Sequence, residues 1–231
     1  MPAPPPIASL GFLLFPHLTQ LDLTGPLQVL SALPGATIHI LAKTLAPVPS
    51  DCGLSLVPTG TLADAPPLDL LCVPGGFGID GAIADEETMA FVRRQGASAR
   101  YVTSVCTGAF VLGAAGLLQG RRATTHWSYH HLLPRVGAIP QHGRVVRDGN
   151  VFTGGGVTAG IDFALTLVAE LAGEDVARRI QFGLEYDPQP PFDGSPDRAA
   201  APLRAQLEAR YAPRIAAFEA VLDRALRQGT G

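Results

Sequence analysis

One stretch, residues 101–116, places a strand, a tight turn and a helix around a single cysteine. Its first five residues are mostly apolar or β-branched, as a buried strand requires, and from Thr107 small and apolar residues recur at helical spacing until Gly116. Cys106 is therefore predicted to lie on the turn, where Thr107 and Gly108 permit a cramped backbone. A thiol there faces the helix N-terminus, whose partial positive charge favours thiolate. The alternative is a buried and inert cysteine.

Composition excludes several classes of protein. The chain has 231 residues, of which 47% are hydrophobic, and this is ample for a substantial core. Its 17 basic and 20 acidic residues give a net charge of -3, with no basic run longer than two residues, so no nucleic-acid partner is predicted. Cys52, Cys72 and Cys106 are spaced too widely and irregularly for a disulfide framework or a zinc site.

The N-terminal sequence carries no export or membrane signal. The proline-rich leader 1–6 lacks a basic segment and is predicted to be disordered, and the apolar run 7–15 is too short to span a bilayer. Because a thiolate nucleophile survives best in a reducing compartment, we predict a cytoplasmic protein with no membrane partner.

Strand-like and helix-like segments alternate along the chain, which predicts one α/β domain over residues 1–231 with a doubly wound, mostly parallel sheet. Strands are expected at 7–15, 37–42, 68–73 and 101–105, with hairpins at 48–61 and 145–153. Helices are expected from Thr24-Gly25-Pro26 to Pro34-Gly35, and at 85–95, 107–116, 126–134, 158–171, 175–182 and 202–228. Residues 122–125 form a short extended piece, and residues 187–201, with their prolines, are expected to be a surface linker.

Three features follow buried strands of this predicted sheet. Asp22 comes after the first strand, Gly75 and Gly76 follow the strand at 68–73, and Cys106 follows the strand at 101–105. Ligand sites in such sheets lie beyond the carboxyl ends of the strands, so these residues are predicted to converge. For Asp22, placed in a loop before the helix, an accessory helix cap is the alternative role.

Two other motifs carry weaker signals. Residues 76–81 fit G-x-G-x-x-G after a strand, but the acidic residue expected about 20 positions later is absent, so no cofactor is predicted. His126 and His130 are four residues apart on a predicted helix, yet no third ligand accompanies them, so no metal is predicted. We expect the glycines to turn their N–H groups toward the site instead.

Four segments together resemble the DJ-1/PfpI superfamily. They are Leu21-Asp22-Leu23-Thr24-Gly25-Pro26, Val73-Pro74-Gly75-Gly76, Val105-Cys106-Thr107-Gly108 followed by residues 117–127, and Gly154-Gly155-Gly156-Val157-Thr158-Ala159-Gly160-Ile161-Asp162. The resemblance covers roughly residues 7–186 and, within the superfamily, points to its isonitrile (isocyanide) hydratase branch. It implies a flavodoxin-like fold, a homodimer, and a nucleophilic Cys106 facing the acidic Asp22.

Two residues distinguish the chain within that superfamily. Thr107 stands where protease-like members have histidine, so a Cys-His pair cannot form there and peptidase activity is not expected. The acid is Asp22 rather than the glutamate of the DJ-1 branch, as in the hydratase branch.

The resemblance implies hydration of an isocyanide substrate to an N-substituted formamide. In this hypothesis Cys106 attacks the terminal carbon and Asp22 supplies and removes protons. The N–H groups of Gly76 and Thr107 stabilise anionic character, with Gly75 beside them, and the Thr107 hydroxyl orients Asp22. We also expect Asp22 and Cys106 to share one proton near neutral pH.

Two alternatives remain. The DJ-1-like sensor domains of AraC-type transcriptional regulators have a similar sequence around the cysteine. Such a regulator would need a helix-turn-helix after this domain, and the single helix predicted at 202–228 does not form one. A glyoxalase-like or redox-stress member of the superfamily is the second. Because that C-terminal helix has one apolar stripe and no core of its own, it is expected to pack on the domain or to form a dimer together with residues 126–133.

Overall fold

The computed structural model describes residues 9–192, 195–196 and 198–228. The predicted leader 1–6 lies outside these residues. Eleven strands occur in the described part: β1 Ser9–Leu13, β2 Thr37–Ala42, β3 Val48–Pro49, β4 Ser55–Leu56, β5 Gly60–Thr61, β6 Leu70–Val73, β7 Tyr101–Val105, β8 Arg122–Ala123, β9 Ile139–Pro140, β10 Val145–Asp148 and β11 Val151–Gly154. The helices are α1 Gln20–Leu30, α2 Ile79–Ala84, α3 Glu86–Ser98, α4 Gly108–Ala114, α5 Ala159–Ala172, α6 Glu174–Gly183 and α7 Ala201–Gln228, with a 3₁₀ helix at Trp127–Val136.

A mostly parallel sheet forms the centre of the described structure, in the order β10-β11-β7-β6-β1-β2-β5. Every neighbouring pair is parallel except the hairpin β10–β11. The helices pack as two groups, α1 with α5 and α6, and α2 with α3, α4 and α7. This confirms the predicted α/β class, and β1, β6 and β7 bring their carboxyl ends together in the middle of the sheet.

Most predicted elements are present, and two differ in extent. The expected hairpin at 48–61 is limited to β3 and β4, because β5 leaves it and pairs in parallel with β2 at the edge of the main sheet. The helix expected to open at Thr24 begins four residues earlier, at Gln20, and contains Pro26. Asp22 therefore lies in the first turn of α1, whereas the sequence predicted that it lies in a loop.

The C-terminal helix α7 packs on its own chain. Phe218 and Leu222 are fully buried, and the Phe218 ring lies 5.1 Å from that of Phe110 and 5.7 Å from that of Tyr129, between centroids. The helix thus packs on its own domain, which is one of the two arrangements expected from the sequence, and its apolar stripe is no longer an argument for a dimer. Among the described residues, no helix is both long and apolar enough to cross a membrane.

Candidate active site

Cys106 sits on a sharp elbow between β7 and α4. Its φ of 55° lies in the left-handed region, where a residue other than glycine is strained by about 1–3 kcal/mol. The elbow is held by its backbone: the Cys106 N–H donates to the carbonyls of Gly154 (3.0 Å) and Gly155 (2.9 Å), and the Thr125 hydroxyl donates to the Cys106 carbonyl at 2.8 Å. A β-carbon at Gly108 would overlap the carbonyl oxygen of Val73, so glycine is required there. The cramped backbone predicted from the sequence is confirmed.

Asp22 is the acidic group of the site. Its side chain is completely buried. Oδ2 accepts a hydrogen bond from the Gly75 N–H at 3.1 Å, and Oδ1 has no hydrogen-bond partner among the described residues. Burial raises the pKa of Asp22 from 3.8 to about 7, and hydrogen bonds with Cys106 and Gly75 oppose this rise. The carboxyl group can therefore hold a proton near neutral pH.

Cys106 is 5% exposed, and its thiol lies close enough to the Asp22 carboxyl for the two groups to shift each other's pKa. Burial, followed by the negative charge of Asp22, raises the pKa of Cys106 well above its ordinary value, while the N–H groups of Thr107 and Val157 lower it. The expectation that a helix terminus alone makes this a low-pKa thiol is wrong, because desolvation outweighs it. Since two negative charges in contact repel, the pair retains one proton as the pH rises through about 7.

Gly75, Gly76 and Thr107 form a second layer beside the pair. The Gly76 N–H donates to Thr107 Oγ1 at 3.0 Å, and the Thr107 hydroxyl approaches the Gly76 carbonyl at 3.3 Å. The Thr107 hydroxyl thus binds Gly76. The expectation that it orients Asp22 is wrong, because the Gly75 N–H binds that carboxyl instead. A β-carbon at Gly75 would lie 2.8 Å from Asp22 Oδ2, so only glycine allows this approach.

The Val157 N–H, which faces the Cys106 sulfur, is a site group that the sequence analysis missed. A backbone donor has no side-chain signature, and the glycines at 154–156 were the sole signal. Val157 and Thr125 line a cavity of about 620 Å³ together with His126 and Trp127, so this cavity adjoins the elbow. Burial lowers the pKa of His126 to about 4, which keeps its imidazole neutral at physiological pH.

Several donors of the two weaker motifs have partners within the protein. The Gly75, Gly76 and Gly78 N–H groups are engaged by Asp22, Thr107 and the His17 carbonyl, so they are not free to cradle a phosphate. His126 Nδ1 pairs with the Ser128 hydroxyl at 2.8 Å. Within the described ranges, no three histidine, cysteine or acidic side chains are grouped as metal ligands would be.

The chain belongs to the DJ-1/PfpI family, whose model matches residues 8–170. A curated isonitrile hydratase from Pseudomonas putida is 58% identical over 94% of this chain and 95% of that protein. A solved ThiJ/PfpI family protein from Pseudomonas syringae is 44% identical, with a TM-score of 0.91 over 96% of this chain and 97% of its own. The transcriptional regulator GbdR from Pseudomonas aeruginosa is 30% identical over 78% of this chain but 51% of its own length.

Proposed function

We propose that the protein is an isonitrile hydratase, which adds water to an isocyanide, R–N≡C, and releases the formamide R–NH–CHO. Similarity to the Pseudomonas putida enzyme along nearly the whole of both chains supports this activity. The observation that supports the proposal is the proximity of the buried Asp22 carboxyl to the Cys106 thiol, because a nucleophile and a proton donor side by side can both act on one carbon.

The first half-reaction uses the single proton that the pair retains. The productive form of the pair has a Cys106 thiolate beside a protonated Asp22. The thiolate attacks the terminal carbon of the isocyanide, and Asp22 delivers its proton to that same carbon. The products are a covalent thioimidate, R–N=CH–S–Cys106, and an Asp22 carboxylate.

Hydrolysis of the thioimidate restores the enzyme. The Asp22 carboxylate takes a proton from water as its oxygen attacks the carbon, and that proton passes to the substrate nitrogen. The tetrahedral adduct, R–NH–CH(OH)–S–Cys106, then collapses: its hydroxyl proton returns to Asp22, the C–S bond breaks, and the formamide leaves. One water is consumed and no cofactor or metal is needed.

Backbone groups stabilise the charge that moves between sulfur and carboxyl. We assign the N–H groups of Thr107 and Val157 to the sulfur when it is anionic, since both lower the thiol pKa. Gly75 and Gly76 support Asp22 and the Thr107 hydroxyl, respectively, and so fix the direction from which the proton arrives.

We further propose a cytoplasmic homodimer of one-domain chains. The described cysteines are all free, as suits a reducing compartment. Large apolar side chains are exposed around the β3–β4 hairpin, namely Leu45, Leu54 and Val57, and Phe77 is 53% exposed. Such side chains favour contact with a second copy.

Incubation of the purified protein with a simple alkyl isocyanide tests the activity. We expect the isocyanide to disappear and the N-alkylformamide to appear in equal amount, followed by proton NMR. A parallel incubation with methylglyoxal tests the glyoxalase-like alternative. Turnover of methylglyoxal without formation of any formamide would overturn the proposal.

A further inference from the structure

Arg214 joins α7 to the loop between β6 and α2. Its Nη1 donates to Asp80 Oδ2 at 2.7 Å and its Nη2 to Asp80 Oδ1 at 2.8 Å, a bidentate pair. Nη2 also donates to the Phe77 carbonyl at 2.6 Å, and the guanidinium lies over the Phe77 ring, 5.8 Å from its centroid. Both charged side chains are mostly covered, at 24% and 29% exposed, which favours a strong pair.

The other end of this loop carries the groups that contact the reacting pair. Gly75 donates to Asp22, Gly76 donates to the Thr107 hydroxyl, and the Thr19 N–H donates to the Gly75 carbonyl at 3.0 Å. Gly76 has a φ of 130°. Because glycine adopts positive and negative φ about equally readily, the backbone at Gly76 does not fix the shape of the loop by itself, and the loop depends on its contacts. Arg214 fixes Phe77, the residue directly after Gly76.

We propose that Arg214 is a positioning residue, which holds the loop from Gly75 to Gly78 and the first turn of α2 so that the Gly75 N–H stays on Asp22. The Arg214 guanidinium does not touch the reacting atoms; it acts through Phe77 and Asp80. Arg214 lies in α7, outside the residues 8–170 that the family model matches. The inference deepens the proposed function, on which its effect on turnover rests.

A displaced loop has a defined effect on the titration of Asp22. The groups that face its carboxyl are Cys106 from the elbow, Asp51 from the β3–β4 hairpin and Cys72 from β6, besides the Gly75 N–H. The Gly75 hydrogen bond stabilises the carboxylate and lowers its pKa, whereas burial and Asp51 raise it. Loosening that one bond should therefore raise the pKa of Asp22 above about 7.

The test compares Arg214→Met with Arg135→Met in a Cys52→Ser background. Arg135 ion-pairs with Glu219 and Asp223 and so also ties α7 to the domain, but it does not contact the loop. The pH dependence of Cys106 alkylation by iodoacetamide is measured for each variant, together with isocyanide hydration. The midpoint of the step that Asp22 ionisation produces in this alkylation profile should rise by about one pH unit in Arg214→Met and stay unchanged in Arg135→Met. Hydration should fall about tenfold in Arg214→Met only, because the loosened Gly75 N–H no longer fixes the direction from which the Asp22 proton arrives.

Further variants keep the test decisive. Asp80→Asn removes the charge pair and leaves the Phe77 contact, so its midpoint should rise by a smaller amount, and Arg214→Lys should behave similarly. If Arg214→Met does not fold, the alkylation midpoint of Asp80→Asn tests the positioning role instead. An unchanged alkylation midpoint in the folded variants would overturn the positioning role. Because alkylation does not depend on hydration, a protein without hydratase activity would still show the shift, and the two proposals fail separately.

Discussion

Substitution of Asp22 by asparagine should change how the stability of the protein depends on pH. The wild-type carboxyl is fully buried, with Oδ2 accepting one backbone hydrogen bond, and its pKa is raised from 3.8 to about 7. A folded-state pKa above the unfolded value means that the stabilisation is complete below about pH 3.8 and is lost as the pH rises through about 7. Asparagine is close in shape and carries no charge at any of these pH values.

The magnitude follows from the two pKa values. Moving the pKa from 3.8 to about 7 corresponds to about 4 kcal/mol, a large part of the 5–15 kcal/mol that typically stabilises a domain. The free energy of unfolding of Asp22→Asn, minus that of the wild type, should therefore increase by about 4 kcal/mol between pH 4 and pH 8.

Urea unfolding at a series of pH values and one protein concentration measures this difference. Asp175→Asn is the matched control, because Asp175 is an exposed acid in the first turn of α6. Its difference from the wild type should stay nearly flat over the same range. Parallel pH dependences for wild type and Asp22→Asn would show that the carboxyl titrates normally, and the reasoning about the pair would be wrong.

Three further predictions concern the pair and the assembly. Brief iodoacetamide treatment at neutral pH should label Cys52 before Cys106, because Cys52 is exposed whereas burial and the Asp22 charge raise the pKa of the Cys106 thiol; peptide mass spectrometry showing Cys106 labelled first would contradict this. Asp22→Asn should lose about 10²–10⁴-fold in hydration rate, since an amide cannot pass on the proton, and Asp22→Glu should retain more; full activity of Asp22→Asn would remove the acid–base role. Sedimentation at micromolar concentration should give a dimer, and a monomer there would refute the assembly proposal.

The elbow and its partners could be located from the sequence because local and global signals agree there. A β-branched run followed by small residues specifies the turn at Cys106, and parallel strands bring their carboxyl ends together, which places Asp22 and Gly75 beside it. Pro26 misled the start of α1: proline is typical of a first helical turn, yet here the helix begins at Gln20 and accommodates it.

Other parts of the site depend on tertiary contacts that the sequence does not encode locally. The thiol pKa follows from burial, which outweighs the helix terminus at Cys106, and burial emerges once the sheet and helices have packed. The Val157 donor is a backbone group without a residue preference. The stripe on α7 predicts burial of Phe218, but it does not say that Phe110 and Tyr129 of the same chain supply the surface.

The covalent mechanism requires the isocyanide carbon to bond to the Cys106 sulfur. The rate of formamide production by Cys106→Ser beside Cys52→Ser tests this, with circular dichroism to show that both variants fold. Cys52→Ser should turn over like the wild type, and Cys106→Ser should produce no formamide above the uncatalysed rate, because a serine hydroxyl in that site remains protonated and is a poor nucleophile toward this carbon. Turnover by a folded Cys106→Ser within a few-fold of the wild type would contradict a covalent mechanism.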